Sequence, residues 1–243
     1  MEKPRVAIFD FAGCEGCQLQ IINLEEEILD LLQLVDVVEW REGMSHQSSS
    51  YDIAIVEGSI TRPEDAERLR SIRRQAKWLI ALGSCATHGG VNKLRHLLDF
   101  DIAAEQVYGE AASQTHLQSE HVRAINEVVD VDSYVFGCPI DAREFAKVVK
   151  AIVFGKRPEI PEYPVCVECK LQGIICRYEY GEVCVGPLTR AGCDARCPSA
   201  GFRCFGCRGL LEDANVEAAR EVMDRYGKTT DELEARMALF NTL

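Results

Sequence analysis

No stretch of eighteen or more apolar residues occurs in the 243-residue sequence, so no segment is suited to span a bilayer core. The opening MEKPRVAIFDFAGC lacks the basic, then apolar, then small-residue order of a secretory leader, and the chain is expected in the cytoplasm without direct membrane insertion. Basic side chains are few: 27 Lys and Arg against 39 Asp and Glu leave a net charge of -12 and an isoelectric point near 5.0. That balance speaks against a nucleic-acid partner, whose phosphates need clustered Lys and Arg. Histidines number five, and no Ser, His and acid constellation supports hydrolysis. Gly13-Cys14-Glu15-Gly16 falls short of a dinucleotide fingerprint, with no acidic residue placed to serve a ribose. Against these absences, 47% hydrophobic residues provide for a sizeable core.

Cysteine is abundant. Eight of the twelve fall within forty-two residues: Cys166, Cys169, Cys176 and Cys184, then Cys193, Cys197, Cys204 and Cys207. Four more, Cys14, Cys17, Cys85 and Cys138, are scattered over the first half. A reducing cytosol disfavours structural disulfides and favours metal or redox chemistry. A cubane takes one thiolate per iron, and Cys-x-x-Cys steps let neighbouring residues reach adjacent corners. Four-thiolate zinc uses similar steps, usually as two separated pairs, so spacing alone leaves a zinc-stabilised scaffold as the rival.

The first half reads as strands alternating with helices. Strands are expected at Val6 to Phe9, Val35 to Trp40, Ile53 to Val56, Trp78 to Leu82 and Tyr134 to Phe136. Leu19, Ile22, Ile28, Leu29 and Leu32 recur at helical spacing after the first strand. Thr61 and Glu64 form a candidate capping box before a face of Ala66, Leu69, Ile72 and Ala76, and 141–154 is helical again. The segment 91–132 is polar and weakly periodic, a helical excursion or long loop. Repeated strand and helix imply an α/β fold with a mostly parallel sheet covered on both faces.

Three prolines in seven residues, Pro158, Pro161 and Pro164, mark a linker. Domains are accordingly expected at 1–163 and 164–243. The second is glycine-rich and weakly periodic, and is expected to be ordered by inorganic groups rather than by a side-chain core. Two short C-terminal helices follow it, with Gly227 ending the first and Thr229 with Glu232 capping the second.

The scattered cysteines all lie just past the carboxyl ends of predicted strands, which share one edge of a parallel sheet. One site could therefore collect Cys14, Cys17, Cys85 and Cys138, with Gly13, Gly16, Gly83 and Gly137 admitting close backbone approach. Glu57 belongs to the same edge, as a carboxylate behind the thiols, a proton handler or an ordinary loop residue. His88, three residues past Cys85, is a hydrogen-bonding candidate there, whereas His46, His96, His116 and His121 read as solvated.

CEGCQLQ, VEGSI, GSCATHGG and FGCP, in that order, resemble the markers of the small, electron-transferring subunit of nickel–iron hydrogenases. PVCVECKLQG, CVGPLTRAGC, ARCPS and CFGCRG extend the likeness to the delta subunit of the cytoplasmic, multimeric sulfhydrogenase-type group. The resemblance implies a flavodoxin-like domain followed by a small, irregular iron–sulfur domain. It implies three 4Fe-4S clusters: a proximal one on Cys14, Cys17, Cys85 and Cys138, a medial one on Cys193, Cys197, Cys204 and Cys207, and a distal one on Cys166, Cys169, Cys176 and Cys184.

Membrane-bound and periplasmic relatives place a histidine at the first distal position and lack one medial cysteine, whereas this chain has Cys166 and Cys197 there. It also lacks the adjacent cysteine pair and short length of the homologous complex I subunit, against a quinone-module reading. The implied partners are a nickel–iron large subunit and flavin- or iron–sulfur-containing diaphorase-type subunits. The acceptor, whether NAD, NADP, a bifurcating flavin module or a heterodisulfide reductase, is left to other chains. Between Val165 and Gly209, Lys170, Arg177, Arg190, Arg196, Arg203 and Arg208 outnumber Glu168, Glu179, Glu182 and Asp194, a surplus that either stabilises anionic clusters or keeps the surface soluble.

Overall fold

The computed structural model describes residues 2–241 and separates into two compact units, Met1–Pro158 and Glu159–Leu243. The division falls inside the proline-bearing stretch, five residues before the expected boundary.

In the first unit five strands, β1 (Arg5–Asp10), β2 (Asp36–Trp40), β3 (Ile53–Glu57), β4 (Trp78–Leu82) and β5 (Ser133–Val135), form one sheet in the order β2-β1-β3-β4-β5. Every pairing is parallel. This is the flavodoxin-like doubly wound order, whose ligands lie beyond the carboxyl ends of the strands. Alternation of side chains sends Val6, Ile8, Ile53, Ile55, Ile80 and Leu82 into one core, against helices α1 (Gly16–Ile22), α2 (Glu26–Leu34) and α6 (Ala142–Val153). Ala7, Phe9, Ala54, Val56, Leu79 and Ala81 enter the other, against α3 (Pro63–Gln75). With both faces covered, β3 is buried throughout, and each large apolar side chain so buried contributes about 1.5–3 kcal/mol.

Two helix expectations need correction. The apolar residues read as one helix after β1 lie on two, because the chain turns at 23–25 and Glu25 takes a positive φ of 52°. That break re-aims the faces: Cys17, Gln18, Ile21, Leu24 and Leu31 are buried, while Leu19, Ile22, Leu29 and Leu32 stay exposed. The Thr61 and Glu64 capping box does not form. Pro63 opens α3 and forces Arg62, the residue before it, into extended backbone, so the helix begins one residue too late for Thr61 to cap it. The expected face of α3, with Ala66, Leu69, Ile72 and Ala76 buried, is as read.

Short helix α4 (Gly83–His88) follows β4 directly, and the excursion behind it holds 3-10 turns at Gly90–Leu97, Gly109–Ser113, Thr115–Leu117 and Ile125–Glu127 with α5 (Phe100–Tyr108). His96 and His121 are not simply solvated. Their rings meet edge to face at 4.8 Å, beside Phe100, and His96 Nε2 accepts the Val122 amide at 2.8 Å.

The second unit contains α7 (Val165–Leu171), a 3-10 turn at Arg177–Tyr180, α8 (Arg196–Ser199), α9 (Val216–Arg225) and α10 (Thr230–Asn241). It has a side-chain core after all. Val165, Tyr178, Val183, Val185 and Leu188 of the cysteine segment pack with Ala219, Met223 and Leu233 from the terminal helices. The cap on α10 is as read: Glu232 N donates to Thr229 Oγ1 at 3.3 Å and Thr229 N to Glu232 Oε2 at 2.9 Å.

Candidate iron–sulfur sites

Register places Asp10, Glu57, Leu82 and Val135 side by side, so β1, β3, β4 and β5 end in one row. Cys14 follows Asp10 by four residues, and Cys85 and Cys138 follow their strands by three. Cys17 opens the buried side of α1. The four thiols gather at this edge: Cys85 is under the electrostatic influence of Cys138, Cys14 and Glu57, and Cys17 under that of Glu57 and Cys138. Burial, then these neighbours, pushes the Cys85 thiol up to about 12 and Cys17 higher still.

Glu57 is no loop carboxylate. It is the last residue of β3, 4% exposed, and its Oε1 accepts the Cys17 amide at 3.0 Å and its Oε2 the Gln18 amide at 3.3 Å. The carboxylate thus fixes the first turn of α1, which Glu15, at a left-handed φ of 60°, turns back toward the sheet edge. Gly83 shows how tightly backbone and sulfur meet: a Cβ there would stand 2.3 Å from Cys17 Sγ, and φ is +81°. A Cβ at Gly16 would stand 3.3 Å from Cys14 Sγ. At Gly137 it would meet the Pro139 carbonyl at 2.7 Å, and at Gly13 only ordinary contacts.

Gln18 lies within the CEGCQLQ stretch but is neither apolar nor a ligand type, so spacing gives it no role of its own. It is buried beside Cys17, accepts from Trp40 Nε1 at 2.7 Å, and its Nε2 lacks an acceptor among the described residues. His88 Nδ1 pairs with Thr87 Oγ1 at 2.9 Å, and burial draws the ring down to about 4, so it is neutral near pH 7.

In the second unit burial, then Cys184, Cys169 and Cys176, pushes the Cys166 thiol up to about 12. Cys193 and Cys197 are each influenced by Cys207, and Cys204 by Cys184 first and then Cys207. The Cys204 amide donates to Cys184 Sγ at 3.2 Å. Glu168, buried on α7 between Cys166 and Cys169, accepts the Gly192 amide at 2.7 Å and the Ala195 amide at 2.9 Å. It clamps a strained loop, since Asp194 and Ala195 are both left-handed, at about 1–2 kcal/mol each.

Of the arginines counted from sequence, Arg177 is neutralised by Glu182 at 2.6 Å, Arg203 stacks on Phe205, and only Arg208 is fully buried. No disulfide joins any of the twelve cysteines. Among the described residues, no three His, Cys, Asp or Glu side chains close around a point that would hold one metal ion. A cavity of about 880 Å³ between the start of α3 and the 95–120 excursion has no cysteine in its lining.

Residues 14–152, more than half the chain, match the family of the NADH ubiquinone oxidoreductase 20 Kd subunit. The chain belongs to this family. Among its relatives, the sulfhydrogenase 2 subunit delta of Pyrococcus furiosus is 36% identical over 221 residues, 90% of this chain and 92% of that one. A chain of the F420-non-reducing hydrogenase vhu of Methanococcus voltae is 29% identical, across 99% and 94%. An NAD+-reducing [NiFe]-hydrogenase crystallised in the H2-reduced state contains a similar chain, with a TM-score of 0.58 and 30% identity over 66% of this chain and 96% of that one. Within the family, this is a small-subunit-type member of the nickel–iron hydrogenases.

Proposed function

We propose that this chain is the electron-relay subunit of a cytoplasmic nickel–iron hydrogenase, holding three 4Fe-4S clusters between a nickel–iron large subunit and a flavin- or iron–sulfur-containing diaphorase-type partner. The observation that carries this reading is the convergence of Cys14, Cys17, Cys85 and Cys138 from three strand ends and one helix onto a single edge, with Glu57 bracing them. Cys193, Cys197, Cys204 and Cys207 would hold the medial group and Cys166, Cys169, Cys176 and Cys184 the distal one.

The residues fit such groups. Four thiols at each site match the one thiolate per iron that a cubane takes. Amides already point at sulfur, at Cys17 from Ile140 and at Cys184 from Gly186 and Cys204, where they would stabilise thiolate charge. Glycine at 83 keeps a Cβ atom out of the Cys17 sulfur cradle. When bound, the clusters supply one-electron oxidation and reduction. The chain's own part is to hold thiolates, exclude water and present the Cys14 edge to the large subunit. No helix among the described residues is long and apolar enough to cross a membrane.

Anaerobic isolation of the native complex tests the reading. A brown protein with about twelve irons and twelve labile sulfides per chain is expected, alongside a nickel-bearing subunit. Zinc without sulfide would favour the scaffold. The family's own description favours a quinone module as the second reading, and a complex that reduces quinone but lacks nickel would support it.

A further inference from the structure

The loop from Ala191 to Ala195, which presents Cys193, is held by two buried side chains of opposite charge. Arg208, 1% exposed, donates from Nε to the Ala191 carbonyl at 2.8 Å. Glu168, 6% exposed, takes the Gly192 amide on Oε1 and the Ala195 amide on Oε2, and Oε2 lies 3.9 Å from Cys193 Sγ. Three of the five loop residues, Gly192, Asp194 and Ala195, have positive φ, so the loop needs such a grip to keep its shape. Charges are rarely buried this completely without a functional or structural reason.

We propose that Glu168 and Arg208 are paired positioning residues that fix Cys193 and pull the reduction potential of the group held by Cys193, Cys197, Cys204 and Cys207 in opposite directions. This rests on the cluster assignment proposed above. Reduction would add one unit of negative charge to the group that these sulfurs hold. A carboxylate 3.9 Å from Cys193 Sγ opposes that charge, and a guanidinium in the same buried shell favours it. The arrangement repeats the logic of Glu57, which grips the amides of Cys17 and Gln18 at the other site, but adds a cation that the strand-edge site does not take from its own β3.

The test is a potentiometric titration of the purified complex, followed by electron paramagnetic resonance of the reduced clusters, with iron and sulfide counted in each sample. Arg208→Gln is expected to shift the medial signal to lower potential, Glu168→Gln to shift it higher, and Arg208→Lys to restore most of the native value. A merely structural role would move both Gln variants the same way, or leave the potentials of fully loaded variants unmoved, and either result overturns the pairing. Where a Gln variant loses iron, Glu168→Asp, whose shorter side chain draws the carboxylate back from Cys193 Sγ, decides: a potential above the native one supports the pairing and an unmoved or lower one overturns it. Labile sulfide missing from the unmutated complex sinks the cluster reading itself, whereas native sulfide with unmoved potentials sinks only the pairing.

Discussion

At the scale of single residues, the strand-edge site depends on atoms that are missing as much as on those present. Gly83 is where the carboxyl end of β4 passes Cys17, and a methyl group there would overlap the sulfur at 2.3 Å in a backbone conformation already unfavourable for an L side chain. Gly83→Ala is therefore expected to remove about four of about twelve irons while the rest of the sheet keeps its melting behaviour, as read by iron analysis and circular dichroism. Unchanged iron content would show that Cys17 is not held where the backbone puts it. The importance of glycine beside these cysteines was legible from GSC and FGCP; Glu57 too was legible as a member of the edge. Its actual task was not, because two amides from a helix 40 residues away in sequence become its partners only after β1 and β3 pair.

At the scale of elements, parallel pairing is secured at the opposite end of the sheet by Asp52. Its Oδ2 accepts the Arg5 amide at 2.9 Å, its Oδ1 meets Lys77 Nζ at 2.8 Å, and its carbonyl takes the Lys77 and Trp78 amides. The starts of β1, β3 and β4 are thereby tied together. The Arg5 amide foremost, then Lys77, holds the Asp52 carboxyl below the usual carboxylate range. A depressed folded value means the unfolded chain binds protons more readily, so this stabilisation is complete above pH ~4 and is lost as pH falls through the folded value. Asp52→Asn should cost about 1 kcal/mol near pH 7 and almost nothing in acid, a difference that denaturant melts at two pH values would reveal. Strands were the most legible elements, since β-branched runs with turn residues at both ends leave few alternatives. Helix faces were less so: the break at 23–25 and the effect of Pro63 on Arg62 depend on local backbone choices that apolar spacing does not report.

At the scale of the whole molecule, the break between α1 and α2 has a consequence for assembly. Leu19 and Ile22 follow directly from Cys17 on α1 and remain exposed, with Leu29 and Leu32 exposed on α2. Apolar surface of this kind beside the strand-edge thiols suits a permanent subunit interface better than solvent. Replacing Leu19 and Ile22 together by Asp should leave the fold intact and weaken retention of the nickel-bearing subunit at least tenfold, measured by co-purification at graded dilution; undiminished retention would move the interface elsewhere. Composition and spacing alone determined the alternation of strand and helix and the parallel sheet, because those follow from short-range periodicity. Only the tertiary structure decided that the cysteine-rich unit owns a side-chain core, that Glu57, Glu168 and Arg208 are buried, and that Leu19 and Ile22 are not. Burial and hydrogen-bond partnership arise between segments far apart in the chain, and no local pattern records them.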